Sequence, residues 1–274
     1  MSKKIAVGVD IGGTGIKSAP VNLKNGKFAE ERYRIPTPQP STPDAIARTV
    51  AKCITRFEPS ADTAVGVAFP GVIQHGVVKT AANLDESWIG VNLRELIRQH
   101  AGHDVFVMND ADAAGFGEHR YGAAHGADGV ILMTTLGTGI GSALIADGEL
   151  VPNTEFGHTI IDGEIAEHWA AESARTRLDL DWDGWIVNLQ RFYDEMEKLL
   201  WPDLIIVGGG VSKSHHMFLP KLNLRAPIIP AELRNGAGIV GAASWAAAAA
   251  KRADKREKAS AKDAQKKPSK KPKK

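Results

Sequence analysis

Cysteine is nearly absent from this 274-residue chain: Cys53 stands alone, which rules out an intramolecular disulfide framework and a cysteine-rich metal site and makes a reducing cytoplasm the simplest home. Long apolar runs are missing as well. None approaches the roughly 18 to 20 residues that span a bilayer, which argues against a membrane protein. The amino terminus, MSKKIAVGVD, enters a strand-like pattern after two lysines, with no apolar leader core and no small-residue cleavage site. A cytoplasmic location is therefore expected. The chain also lacks a strong overall charge, at +2, but the charge is unevenly spread. Residues 251–274 hold 10 Lys and 2 Arg against Asp254, Glu257 and Asp263, a net of +9, which leaves the first 250 residues at −7. With no aromatic residue and KKPSKKPKK at its end, this tail is expected to be disordered, either a solubilising appendage or a loose arm that attracts polyanions.

What the chain has in abundance is glycine, and one glycine-rich phrase occurs twice. GTGIKSA fills residues 13–19 and GTGIGSA fills residues 137–143. Before the first, Ile5, Val7, Val9 and Ile11 alternate as a strand does, and Ile16 opens a second β-like stretch in which Pro20 argues against a helix. The second phrase follows the apolar run Val130 to Met133 and leads through SALIA to the hairpin dipeptide Asp147-Gly148. Each unit reads as strand, glycine turn, strand. That form excludes the dinucleotide fingerprint, which requires a helix directly after its glycines. A tight hairpin explains either loop alone, whereas two glycine clusters beside Thr14 and Thr138 suggest a pair of backbone cradles for phosphate across one cleft.

Three further segments carry candidate chemistry. DVFVMNDADAAGFGE gives a short buried strand and then Asn109-Asp110 at a strand-to-helix junction, where an aspartate is either a helix N-cap or a side chain aimed into a cleft. PDLIIVGGGVSKSHHMFL reads as a buried strand, a turn at Gly208-Gly209-Gly210 and a helix whose start can meet an anion. His215 and His216 diverge by about 100° on such a helix and read as surface groups. Trp169, Trp182 and Trp185 read as core, and NGAGIVGAASWAAAAAK as a helix that packs back on the first lobe.

Taken together, DIGGTGIKSA, TTLGTGIGSALIADG and LIIVGGGVSKS resemble the phosphate-1, phosphate-2 and adenosine segments of the actin-like sugar kinase superfamily, and NDADAAGFGE with EFGH is similar to its ROK family. The resemblance runs from about residue 5 to about residue 246. It implies an α/β fold of two actin-like, ribonuclease H-like lobes around a central cleft: residues 1–111 completed by a helix over 236–250, residues 112–235, and the disordered basic tail 251–274. It implies a kinase that moves a phosphoryl group from inorganic polyphosphate, and from ATP, to the 6-hydroxyl of glucose; an ATP-only glucokinase or a kinase for mannose or fructose is the alternative.

Residue by residue, the resemblance makes Asp110 the base that takes the hydroxyl proton. Asn83, Asn109, Asp110, Glu155, His158 and Glu167 become the sugar contacts, Glu167 being the weakest match. Gly12, Gly13, Thr14, Lys17, Thr138, Gly139, Gly209, Gly210 and Lys213 become the phosphate contacts, and Asp10 positions Mg²⁺ through water. Lys17, Lys213, Lys221, Arg225 and Arg234 are candidates for steering a polyanionic donor. Many family members carry a CxCGxxGC zinc cluster after the GH, whereas this chain reads GHTIIDGEIAE, so no structural zinc is expected. A homodimer, common in the family, is expected, with no specific nucleic acid and no membrane as partners. A repressor of the family would need a helix-turn-helix ahead of the first turn, and four residues precede Ile5.

Overall fold

The computed structural model describes residues 4–81 and 85–266. Chain order begins with β1 (Ile5–Gly12), β2 (Gly15–Asn22), β3 (Tyr33–Ile35), α1 (Pro43–Thr55), β4 (Val65–Phe69), the small hairpin β5 (Ile73–Gln74) and β6 (Val77–Val78), α2 (Leu93–Ala101), β7 (Phe106–Asn109) and α3 (Asp110–Tyr121). It continues with β8 (Val130–Leu136), β9 (Ile140–Ala146), β10 (Glu149–Val151), the hairpin β11 (Ile160–Ile161) and β12 (Glu164–Ile165), α4 (Glu167–Ala170), α5 (Glu172–Arg177), α6 (Trp182–Leu200), β13 (Leu204–Gly208), β14 (Ile228–Pro230) and α7 (Ala237–Lys266).

The duplication visible in the letters is a duplication of topology. One five-stranded sheet runs β3-β2-β1-β4-β7 and the other β10-β9-β8-β13-β14. In each, three antiparallel strands are extended by two parallel ones. Both glycine phrases are strand-turn-strand units, β1 to β2 and β8 to β9, as the alternation of apolar residues predicts. The Asp147-Gly148 turn takes φ of 49° and 80°, the pair of positive values that suits a two-residue hairpin.

Alternation along the strands divides the core into layers. Val7, Val9 and Ile11 face α1 and α2, packing with Ile46, Val50, Ile54, Trp88 and Ile97. Ala6, Ala19 and Val21 face the opposite way, against Ile239, Val240 and Ala243 of α7. In the second sheet, Leu132, Ile205 and Val207 pack with Trp169, Trp185, Phe192 and Tyr193, while Met133, Ala143 and Ile145 pack with Ala114 of α3. Trp169 and Trp185 are therefore core, and the half-buried Trp182 lies flat against Phe218 with 5.9 Å between ring centroids. The outer helices are capped by side chains: Thr42 for α1 and Asp181 for α6.

The middle of the molecule is a stack of sheet, helix, helix and sheet. α7 lies directly on β1 and β4, where Gly8 and Gly66 are register neighbours. A Cβ on either would overlap a backbone carbonyl of α7, Ile239 O or Ala242 O. On its other side α7 meets α3, and a Cβ on Gly241 would overlap Ala113 O. Glu118, fully buried on α3, ties in the segment that leads to α7 by accepting N–H bonds from Glu232 and Leu233 at 3.1 and 2.7 Å.

Two expectations are corrected. The helix expected after Gly210 is a 3-10 stretch, Gly210–Met217, broken at Ser214 (φ −100°, ψ 20°). Glycine, serine and adjacent histidines are weak helix formers, and Ser212 Oγ bonds back to Gly209 O at 2.8 Å, which competes with regular helix. The tail was expected to be disordered from Lys251, yet α7 continues to Lys266. Its Ala, Lys, Arg and Glu content favours helix, and extending a helix already nucleated on the core costs little. Residues 267–274 lie outside the described residues.

The glycine contact between α7 and α3 has a measurable cost of disruption. Gly241→Val forces a branched side chain against Ala113 O and is expected to lower the melting temperature by roughly 5–10 °C, from about 2–3 kcal/mol of overpacking. Gly13→Ala, where an added Cβ meets nothing within 4 Å, is expected to change it by about 1 °C or less. Differential scanning calorimetry on both variants decides the matter, and equal shifts contradict it.

Candidate active site

Both glycine turns open onto one cleft, and in both the carbonyls are held from behind. At the β1–β2 turn, Thr37 Oγ1 donates to Gly12 O and Arg34 Nη2 donates to Thr14 O at 2.7 Å. At the β8–β9 turn, Ser173 N donates to Gly137 O at 3.0 Å, Ser173 Oγ to Thr138 O at 2.6 Å, and Gly137 N to Gly139 O at 3.0 Å. Carbonyls engaged in this way are not presented to an anion, a precondition for a cradle built of amides.

Between the turns stands the start of α3. Asn109 is its N-cap, accepting from Asp112 N at 3.0 Å, and its amide also donates to Gly71 O at 3.3 Å. Because Asn109 takes the cap, Asp110 is the first helical residue, and its carboxylate accepts a hydrogen bond from Ala111 N at 2.8 Å. Burial pushes the Asp110 pKa up to about 7, and the charges of Asp10 and Glu155 push in the same direction. Asp10, near the end of β1, lies beside Gly238 of α7 and pairs with Lys17 at 3.4 Å. Burial raises its pKa too, against the pull of Lys17.

The far wall is the segment 154–158. Ser142 Oγ donates to Thr154 O at 2.8 Å and accepts from Phe156 N at 3.0 Å, while a Cβ on Gly157 would overlap Ile140 O, so the segment is pressed onto β9. This presents Glu155 and His158 to the cleft. The Glu155 pKa is raised, first by burial and then by Glu167, with His158 opposing. Glu167 begins α4, accepts from Ile140 N at 3.0 Å and lies 3.4 Å from His158 Nε2. It thus bridges the second turn and the wall.

The resulting cavity, about 390 Å³, is lined by Gly13, Asn109, Asp110, Thr138, Gly139, Glu155, His158, Glu167 and Gly209 from among the expected residues. Gly12, Thr14 and Lys17 belong to the first turn and its flank without lining the cavity, Asp10 does not line it either, and Gly210 and the exposed Lys213 lie beyond Gly209. Asn83 falls outside the described residues. A groove of about 480 Å³ crosses the outer face of α6, but Arg191 pairs there with Asp162 and Lys221 with Asp183. The cleft converges on two carboxylates with raised pKa, Asp110 and Glu155.

Sequence reasoning missed several participants. Pro70, Gly71 and Thr80 line the cavity, and Arg34, Thr37 and Ser173 brace the turns, yet none stands in a motif. Behind Asn109, Asp112 accepts from Asn153 N at 2.7 Å, its other oxygen is buried without a partner, and burial raises its pKa to about 7. Asn153, at φ 61°, uses both ends of its amide on the backbone of Ile73, each at 3.0 Å, and so latches one lobe to the other. Among the described residues no group of three or more His, Cys, Asp or Glu could hold a metal.

Two equivalent sheets, each offering a glycine turn to a shared cleft with a half-buried aspartate at its floor, define a two-lobed α/β protein of the actin-like kind. The chain belongs to the ROK family, whose model matches residues 6–175. It is 46 % identical over 237 residues to the polyphosphate glucokinase of Mycobacterium tuberculosis, covering 86 % of this chain and 89 % of that protein. Among solved structures it is similar to the inorganic polyphosphate/ATP-glucomannokinase of Arthrobacter sp. strain KM, with 53 % identity, a TM-score of 0.84 and 89 % and 98 % of the two chains covered. A ROK family glucokinase from Streptomyces griseus in complex with glucose and AMPPNP shows 25 % identity and a TM-score of 0.73, with 88 % and 98 % covered.

The raised Asp110 pKa has a consequence for stability. A carboxyl lifted from its ordinary 3.8 to about 7 favours the folded state while protonated, a contribution complete below about pH 4 and lost as the pH rises through 7. Asp110→Asn, which cannot ionise, is therefore expected to melt several degrees above the wild type at pH 8, with the difference shrinking toward pH 4. Melting curves across that range check this, and a variant that melts lower at pH 8 contradicts it.

Proposed function

We propose that this protein transfers a phosphoryl group from inorganic polyphosphate, and from ATP as a second donor, to the 6-hydroxyl of glucose. The observation that carries this reading is the half-buried Asp110, its pKa near 7, standing between two glycine turns on the floor of one cleft. The relatives named above, at 46 % and 53 % identity, support polyphosphate as donor.

Phosphoryl transfer requires an aligned acceptor, a group to take its proton and neutralisation of the moving phosphate. The Asp110 carboxylate accepts the proton of the sugar hydroxyl as the oxygen–phosphorus bond forms; the bridging phosphate oxygen leaves with its electron pair, giving glucose 6-phosphate and a donor one phosphate shorter. A base with a pKa near the working pH is well matched to that task. Asn83, Asn109, Glu155, His158 and Glu167 hold the remaining hydroxyls, each of which costs roughly 1–3 kcal/mol if left unpaired in a closed site. Gly12, Gly13, Thr14, Lys17, Thr138 and Gly139 hold phosphates, with Gly209, Gly210 and Lys213 on the donor side. Glu167, bonded to Ile140 N, links sugar contact to the second turn.

Asp10 fits the role of positioning Mg²⁺ through water: it is a half-buried carboxylate whose charge bears on Asp110, and Lys17 is its one ion-pair partner among the described residues. When bound, the ion offsets charge on the transferring phosphate. The cysteine-free segment after His158 offers no thiolate to a structural zinc. No helix among the described residues is long and apolar enough to cross a membrane. The reading takes the enzyme as cytoplasmic, with no nucleic acid as partner. Exposed Ile160 and Val187, 70 % and 69 % accessible beside the α6 groove, support a homodimer. The lobes are read as 1–111 with 236–250, and 112–235.

A coupled assay of glucose 6-phosphate with ATP-free polyphosphate or ATP as sole donor tests the reading, with product expected from both. No product from polyphosphate leaves an ATP-only kinase. Asp110→Asn is expected to lower kcat by roughly 10²- to 10⁴-fold, the usual worth of a general base, with the glucose Kd within a few-fold of wild type. Turnover close to wild type removes Asp110 from the role. Chelation of Mg²⁺ is expected to stop turnover while leaving the melting temperature nearly unchanged, and elemental analysis to find no stoichiometric zinc.

A further inference from the structure

Polyphosphate is a linear polyanion with no base or ribose to grip, so a chain extending beyond the transferred phosphate must be met by cations. Two of the candidates from the sequence are committed elsewhere. Lys221 pairs with Asp183, and Arg225 donates to Pro202 O at 2.6 Å while lying over the Trp201 ring.

The first lobe offers a different set. Asp10 of β1 is the register partner of Lys17 on β2, and Lys17 is the partner of Arg34 on β3, so the three side chains stand in a row on one face of the sheet, with strands about 4.8 Å apart. Asp10 is paired with Lys17. Arg34 is exposed, makes no ion pair among the described residues, and lies flat against Gly15, where a Cβ would come within 2.5 Å of its Nε. Its one bond, to Thr14 O, anchors the guanidinium on the first glycine turn and leaves most of its five N–H donors free. Arg32, also exposed, is close enough for its charge to act on Asp10. Tyr33 and Arg56, in contact at 6.0 Å, belong to the opposite face, because successive strand residues alternate.

We propose that Arg34, with Lys17 and Arg32, forms a subsite on the edge of the first sheet for the phosphates of a linear polyphosphate beyond the one being transferred. This rests on the donor reading above. Beyond Asp10, whose charge Lys17 meets, the row presents guanidinium and ammonium groups and no aromatic face, which suits a repeating anion. Gly209 lines the second lobe's wall of the cleft, whereas Arg34 stands on the edge strand of the first sheet. A fork of fixed donors anchored to the backbone also holds phosphate oxygens with less ordering cost than a free lysine.

Arg34→Gln and Arg34→Lys are assayed with long-chain polyphosphate, tripolyphosphate and ATP at saturating glucose, and long-chain polyphosphate binding is measured by titration calorimetry. For Arg34→Gln the KM and Kd for long chains are expected to rise about tenfold more than the KM values for tripolyphosphate and ATP, which register only the lost bond to Thr14 O, with Arg34→Lys in between. Melting curves verify that both variants are folded. An equal rise for all donors, which would mark Arg34 as a brace of the turn alone, or no rise for long chains, overturns the subsite. A wild type that turns over ATP but not polyphosphate overturns the donor reading and the subsite with it.

Discussion

The close approach of α7 to its neighbours on both sides is the constraint from which the rest of the molecule follows. Gly8 and Gly66 leave a notch in the first sheet into which the α7 backbone settles, and Gly241 lets the same helix meet α3 backbone to backbone. α3 in turn lies on the second sheet, where Gly115 meets Ala143. Interiors are packed too tightly for any of these layers to shift independently. Two groups that matter chemically sit at the ends of the stacked elements: Asp10 beside Gly238 at the start of α7, and Asp110 at the start of α3. Their separation is set by helix packing, and so is the influence of one charge on the other.

The cleft is accordingly a site of concentrated electrostatic cost. Asp10, Asp110, Asp112 and Glu155 all have raised pKa values, and burial is the first cause in each. Buried carboxylates of this kind are expensive unless a bound cation or hydrogen-bonding ligand meets them. A ligand with hydroxyl groups and a phosphate donor carrying its counter-ion are groups of that kind.

Much of this was legible in the letters because turns and alternation are local. GTGIKSA and GTGIGSA announce two equivalent hairpins, and the equal strand orders follow from them. What stayed hidden was long-range or decided by fine competition. Asn109 and Asp110 are adjacent, and only the structure shows which caps the helix and which is left to the cleft. Arg34 sits 20 positions from the carbonyl it holds and Ser173 sits 35 from its own; no spacing rule connects them. Asn153 and Ile73, 80 positions apart, form their latch through a left-handed residue in an unremarkable loop. The 3-10 stretch after Gly209 and the continuation of α7 past Lys251 were balances of helix propensity against local alternatives.

The position of α7 in the chain bears on how the protein is made. The first sheet is composed of strands that emerge early in synthesis, but the face carrying Ala6, Ala19 and Val21 is covered by Ile239, Val240 and Ala243, which emerge last. Until then that face is an apolar surface with a glycine notch and nothing to fill it, and contacts of such sequence separation are slow to form. The amino-terminal lobe therefore cannot finish folding on the ribosome ahead of the carboxy-terminal one. A nascent chain stopped before residue 237 would hold both glycine turns and every candidate cleft residue, yet lack the helix that aligns them.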